Sequence, residues 1–483
     1  MRKYEHTHCL KFAHLPEYTS EAEMATVLSP PNIPFDAQVR VEETVTVYPA
    51  HPTERRRMFL SNLDQQVVFT METVHFFAPN PAITSSEATQ MIKDALSKLL
   101  VTYDFVAGRL EFDAHDKRLQ IDCCGAGALF ASASIDLSLS QLHDIAYPNP
   151  FFKNLVLQQC HQIRNLPDLP LCFLQVTRFK CGGFSIGLGT NHTVMDGTGT
   201  ATFMKNLASL ASTNNMTIIP YSDRSPLKAR SPPLIQYPHL EYVKINDDGT
   251  VESSAVFSIV RGPDILPADN VKSIEESPTH IFKLFRLSAD FVKNLKKRAM
   301  ADGVAKCTSF EAVTVHLWKC RAEAVEMQEK EESLMFFAVD VRGRMNPPLP
   351  SDHTGNSVYP ACATANGGEL KKESLCLCVE RVKEAIARVS NEYVRSAIDW
   401  LQVNKGIPRT EGVIFLSSWL RLGFEDVEYP WGKPLYYGPV VHEKVNLVFL
   451  LPNNVDRNGA HVFLALPKHQ MLKFEQLFLN PEQ

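Results

Sequence analysis

Two periodicities run through this chain. Phe184, Ile186 and Leu188 alternate with small residues in "FSIGLGTNH", a period of two that predicts a strand, and "CFLQVTRF", "LMFFAVDVRGR" and "EKVNLVFLLP" read as further strands. A helical period appears in "ATQMIKDALSKLLVTYDFVAGRL", where Met91, Ala95, Leu96, Leu99 and Leu100 share one face. It returns in "TSFEAVTVHLWKCRAEAVEM" through Phe310, Val313, Leu317 and Ala324. Strands and helices interleave in both halves, which predicts two α/β domains. The proline-rich "SPLKARSPPLIQYP" from Ser225 lacks periodicity and suits an exposed linker. The expected division is therefore residues 1–220, a crossover over 221–245, and residues 246–483.

Length agrees with that division, since 483 residues exceed one ordinary core. With 45% hydrophobic and 21% charged residues, the composition is that of a globular protein. A net charge of -5 gives no general hold on nucleic acid. The 11 cysteines are odd in number, and neither Cys123-Cys124 nor Cys376-x-Cys378 has a matching second pair for zinc. "MRKYEHTHCLKF" lacks the apolar centre of a secretory signal, and no apolar run is long enough to span a bilayer. A cytosolic protein with reduced thiols is expected, with no metal, no bound cofactor and no transmembrane segment. Phosphate-loop and dinucleotide fingerprints are absent as well.

Candidate chemistry sits in "NHTVMDGTG", beginning at Asn191. Phe184, Ile186 and Leu188 alternate up to it, and Phe203, Leu207, Leu210 and Ala211 mark a helix after it. His192 thus falls on a strand-to-helix connection, where functional side chains are often displayed. Gly197 and Gly199 are expected to give that turn positive φ, and Asp196 or Thr198 to cap the helix. A rival lies just upstream: Gly183-Phe184-Ser185-Ile186-Gly187 spells a serine-hydrolase elbow. That chemistry needs the serine on a strained turn, whereas the alternation runs straight through Ser185. Arg55-Arg56-Arg57 is expected to be a solvated surface run.

Several segments, in order, resemble the plant BAHD acyltransferases, which move acyl groups from coenzyme A thioesters to alcohols or amines. They are "LSKLLVTYDFVAGRL", "HTVMDG", "CTSFEAVTVHLWKC", "VDVRGRMNPPLP", "HTGNSVYP", "NEYVRSAIDWLQ" and "SSWLRL". The resemblance covers roughly residues 40 to 465. It implies two chloramphenicol-acetyltransferase-like domains of similar size, each a mixed sheet flanked by helices, with an active-site tunnel between them. It also implies a monomer using an acyl-coenzyme A co-substrate and a small alcohol or amine acceptor.

By that resemblance His192 is the general base, and Ser417 and Trp419 line the oxyanion position. Asp196 points away from His192 and pairs with an arginine. Asp340, Arg342 and Arg344 alternate along "VDVRGR", so either arginine can be the partner. Ser309, Arg421, Gly355, Asn356, Trp431 and Gly432 are the implied coenzyme A or channel residues. Where the family carries D-F-G-W-G-K-P, this chain has Glu428-Tyr429-Pro430-Trp431-Gly432-Lys433-Pro434, which alters local backbone geometry. "FLSNLDQ", Phe59 to Gln65, is similar to members that move hydroxycinnamoyl groups onto long-chain alcohols or ω-hydroxy fatty acids. Two alternatives stand beside the acyltransferase: a hydrolase using Ser185, and a non-catalytic relative acting through protein contacts in lipid elongation.

Overall fold

Each α/β half of this computed structural model is organised around one mixed sheet. The structure describes residues 25–28, 38–163, 165–244, 280–301, 303, 305–410, 412–441, 447–453 and 456–481. A six-stranded sheet runs in the order Tyr436–Pro439, Thr70–Phe77, Phe184–Asn191, Cys172–Phe179, Ala128–Ile135, Arg40–Val47. A seven-stranded sheet runs Ala25–Leu28, His280–Leu287, Ala460–Pro467, Leu447–Pro452, Val413–Ser418, Glu332–Asp340, Val358–Asn366.

Helices cover these sheets because their ends and faces are specified locally. The helix Ser85–Thr102 opens with a capping box: the Thr84 hydroxyl accepts from the Glu87 N–H, and the Glu87 carboxylate accepts from the Thr84 N–H. It buries Ala88, Ile92, Ala95, Leu96, Leu99 and Leu100, a stripe one turn apart. Ser309–Ala324 repeats the device with Thr308 and Glu311. Among the described residues no helix is long and apolar enough to cross a membrane.

The two sheets exchange strands. Tyr436–Pro439, late in the chain, pairs antiparallel with Thr70–Phe77, while Ala25–Leu28 pairs with His280–Leu287. Ladder hydrogen bonds therefore tie each half to the other, and a cut at residues 221–245 does not separate the sheets. The crossover is exposed over residues 231–238, but Arg224, Leu227, His239, Glu241 and Tyr242 are buried on either side. Its middle has the expected exposure, whereas its ends carry charges into the protein.

Crowding explains the small residues that alternate in Phe184–Asn191, all eight of which are buried. A Cβ on Gly187 would lie 2.0 Å from the Leu155 carbonyl oxygen, and one on Gly189 would lie 2.1 Å from the Phe173 ring. Ser185 shares that face, is fully buried, and pairs in the ladder with Phe76 and Thr177. The G-x-S-x-G spelling is thus a packing pattern inside a sheet rather than a nucleophile on a turn.

Candidate active site

His192 directly follows the strand Phe184–Asn191. Its backbone N–H donates to the Phe69 carbonyl at 2.7 Å, one step beyond the Thr70–Asn191 pair, so the ladder itself fixes the residue's position. The imidazole packs 5.2 Å from the Phe69 ring and lines a cavity of about 280 Å³. The cavity is walled by Met71 of the six-stranded sheet, by Phe336, Phe415 and Phe449 of the seven-stranded sheet, and by Leu63 and Phe69 from the chain leading into Thr70–Phe77. His192 is partly accessible, so a group entering the cavity can reach it.

Hydrogen bonding fixes the tautomer. The Asn356 Nδ2 group donates to Asp64 Oδ1 and to the His192 carbonyl, each at 2.8 Å. Both partners are acceptors, so the amide cannot be turned the other way, and its Oδ1 must face His192 Nδ1 at 2.9 Å. A carbonyl oxygen only accepts; Nδ1 therefore carries the hydrogen and Nε2 keeps its lone pair.

Asp64 is the hub behind this arrangement. It accepts from Asn356 N at 2.9 Å and from the backbone and hydroxyl of Ser61 at 2.7 Å each. Arg224 Nε stands 3.2 Å away, and both side chains of this ion pair are fully buried. That contact is a charge pair rather than an aligned hydrogen bond, since Nε has no acceptor in line. Sequence reasoning passed over both residues. Asp64 sits among polar residues in "SNLDQ" with no local pattern to mark it, and Arg224 reads as an ordinary charge in the expected linker.

Burial lowers the His192 pKa, while the Asp196 charge and the Asn356 hydrogen bond pull it upward. The net direction is down, which keeps the ring neutral and able to accept a proton at neutral pH.

Asp196 does not touch His192. It caps the helix Gly197–Thr213 by accepting from Gly199 N at 2.9 Å, and accepts from Ser357 N at 3.1 Å. Arg342 Nη2 meets both its oxygens, at 3.0 and 2.9 Å. Of the two arginines offered by the sequence, Arg342 is the partner. The expected strand alternation stops at Asp340, where a 3₁₀ turn over Arg342–Arg344 begins. That turn sends Arg344 elsewhere, to the carbonyls of Ile386 and Val389 at 2.7 and 3.0 Å, where it closes the end of the helix Leu375–Arg388. Nor do Gly197 and Gly199 take positive φ; both are helical. At Gly199 glycine suits the space, since a Cβ there would sit a tight 3.0 Å from the Thr354 carbonyl oxygen.

Ser417 lines the cavity across from His192, near the end of the strand Val413–Ser418. Trp419 is buried behind it and donates its indole N–H to Ser417 Oγ at 3.1 Å. The indole hydrogen is thus committed to the serine instead of the cavity. With its oxygen already accepting, the serine is left with its own O–H to donate.

The remaining expected site residues are scattered. Asn356 lines the cavity, and Gly355 beside it leaves room for the Arg224 and His353 side chains. Ser309 opens its helix, Arg421 is exposed on a turn, and neither lines the cavity. Trp431 stacks on Tyr429 at 4.8 Å and meets Phe77 and Phe184 edge-on, in the core shared with the six-stranded sheet. Gly432 takes φ +114 in a tight turn closed by Tyr429, so the departure at Glu428-Tyr429-Pro430 is accommodated in packing away from the cavity wall. Arg55, Arg56 and Arg57 pair on the surface with Asp122, Asp104 and Glu111.

Two mixed sheets, a shared cavity and a histidine displayed into it define an acyltransferase-type architecture. The chain belongs to the Transferase family, the BAHD acyltransferases, whose profile matches residues 37–480. It is 42% identical over 463 residues to Acyltransferase GLAUCE of Arabidopsis thaliana, covering 93% of this chain and 97% of that relative. Omega-hydroxypalmitate O-feruloyl transferase of the same plant is 31% identical over 447 residues, with 92% and 93% covered. Fatty alcohol:caffeoyl-CoA acyltransferase, also from Arabidopsis thaliana, is 30% identical over 445 residues, with 91% and 98% covered. The fold is shared with vinorine synthase, at a TM-score of 0.68, 20% identity, and 90% and 96% of the two chains covered. This protein is therefore an acyl-coenzyme A-dependent acyltransferase.

Proposed function

We propose that this enzyme transfers a hydroxycinnamoyl group, such as feruloyl, from its coenzyme A thioester to an alcohol, with a long-chain alcohol or ω-hydroxy fatty acid as acceptor, and that His192 is the general base. The observation that carries the mechanism is the hydrogen bond from His192 Nδ1 to Asn356 Oδ1, which leaves Nε2 as a lone pair beside the cavity.

In this mechanism Nε2 accepts the hydroxyl proton as the alcohol oxygen attacks the thioester carbon. General-base help of this kind is worth about 10²–10⁴ in rate. The developing oxyanion is met by the Ser417 hydroxyl, itself polarised by the Trp419 N–H. Collapse of the tetrahedral intermediate breaks the C–S bond, and the departing thiolate takes the proton back from Nε2. The products are the ester and free coenzyme A, and the enzyme is regenerated without a covalent intermediate.

Substrate class is supported from two sides. The cavity is walled largely by aromatic and aliphatic side chains, suited to an acyl ring or an alkyl chain. Two relatives at 31% and 30% identity are named for feruloyl and caffeoyl transfer to ω-hydroxypalmitate and fatty alcohol. The test is product analysis by mass spectrometry with a panel of acyl thioesters and acceptors, using wild type and His192→Ala. Ester formed by wild type and lost in the variant is expected; equal turnover by both would end the proposed role of His192.

A further inference from the structure

Most polar groups on the cavity wall are already engaged. Asn356 is held between Asp64 and His192, and Ser417 Oγ accepts from Trp419. The Tyr359 hydroxyl donates away from the cavity to the buried Glu241.

Gln66 differs. It lines the cavity just beyond Asp64, at the end of the 3₁₀ turn Asp64–Gln66. Its Oε1 is buried without a donor. Of the buried side-chain polar atoms left without a partner among the described residues, it alone belongs to a wall residue. A buried amide carbonyl deprived of its hydrogen bond is destabilising, and an apolar side chain of similar size would avoid that cost. The side chain as a whole is half-buried and lines the cavity, so turning its terminal amide by half a turn brings the carbonyl in place of the NH₂ end toward a group entering there.

We propose that Gln66 is a specificity-determining residue whose amide hydrogen-bonds a hydroxyl of the bound substrate other than the one that is acylated. This deepens the proposed function and rests on it: the enzyme would favour substrates carrying a second hydroxyl. Two sources supply that chemistry, a phenol on the acyl ring of the thioester or a polar end on a bifunctional acceptor. In either case the hydroxyl partners an amide that is otherwise unsatisfied. Without it the substrate leaves the amide buried and alone, which is how a site discriminates against an analogue lacking a hydroxyl.

Two competition series test this with wild type, Gln66→Leu and Gln66→Met. In the first, p-coumaroyl-coenzyme A competes with cinnamoyl-coenzyme A for one acceptor. In the second, an α,ω-diol competes with the primary alcohol of equal length for one thioester. Wild type is expected to prefer the hydroxylated partner in one series, and both variants to reduce that preference roughly tenfold or more. Turnover of the unhydroxylated substrate should be retained, and the series that responds identifies the source. A preference ratio unchanged by both substitutions in both series, with the variants folded by thermal melting, overturns the assignment. Absence of any transfer by wild type would instead refute the broader proposed function, so the two failures are distinguishable. Should Leu at this position fail to fold, the flexible, nearly isosteric Met variant still decides the question, because it too removes the amide.

Discussion

Asp64 grips Asn356 twice, accepting from its backbone N–H at 2.9 Å and from its side-chain amide at 2.8 Å. That double contact determines which end of the amide faces His192, and with it which imidazole nitrogen is free. The carboxylate that orients His192 thus lies 128 residues before it in sequence and works through Asn356 as intermediary. Replacing Asn356 by Leu should lower kcat by about 10²-fold, as both the tautomer and the ring orientation lose their support. Steady-state kinetics with the best thioester and acceptor pair would check this, with KM expected to move much less than kcat.

Asp196 leads to a different expectation. It is buried, accepts from two backbone N–H groups, and is paired with a buried arginine. Asp196→Ala should cost about 3–5 kcal/mol of stability, because Arg342 is left as an uncompensated charge. Thermal or urea unfolding would register the loss. A double variant, Asp196→Asn with Arg342→Gln, should recover part of it. If Asp196→Ala melted like wild type and yet had no activity, a direct role for Asp196 in orienting His192 would be indicated instead.

In the proposed mechanism Trp419 acts on the oxyanion only through Ser417, to which it donates its indole N–H. Trp419→Phe should therefore reduce kcat by several-fold, and Ser417→Ala by more, up to about 10²–10³ as for a lost oxyanion donor. Combining the two should cost little beyond Ser417→Ala alone, since the indole has no separate target in the cavity. An additive double variant would mean that the indole reaches the reacting carbonyl itself.

Acid should destabilise the fold through histidines that take no part in catalysis. Burial holds His75 and His461 down to about 3, with the Arg286 charge adding at His461, and burial holds His316 down to about 4. An unfolded histidine titrates near 6.5, so below that pH the unfolded chain binds more protons than the folded one. The stability these groups contribute is fully present above about pH 6.5. It declines as pH falls toward their folded values, each group costing up to about 1.4 kcal/mol per pH unit. Urea midpoints between pH 7 and 5 should fall accordingly, and His461→Leu should flatten the slope by one proton's worth. An unchanged slope in that variant would show that His461 is not held neutral.

The strand Cys172–Phe179 and the helices Ser85–Thr102 and Ser309–Ala324 fell where the pattern placed them. Local periodicity and capping chemistry determine such elements, and both can be read within a few residues. His192 was legible for the same reason, as the residue where a strand's alternation ends before a helix begins. Ordered family segments supplied what that pair alone could not, the reaction class. By itself, then, the sequence determined the α/β elements, the position of His192 on its connection, and membership of an acyltransferase family.

Only the tertiary structure decided which groups meet. Asp64, Arg224 and Asn356 come from a loop, the crossover and the second half, and nothing periodic relates them. The choice of Arg342 over Arg344 depended on a 3₁₀ turn replacing a strand, and the strand exchange between sheets left no mark on local pattern. Gly199 suits its place through the closeness of Thr354, distant in sequence, rather than through its own torsions. Hydrogen bonds and steric contacts act over a few ångströms in space, whereas a sequence pattern reports only on neighbours along the chain.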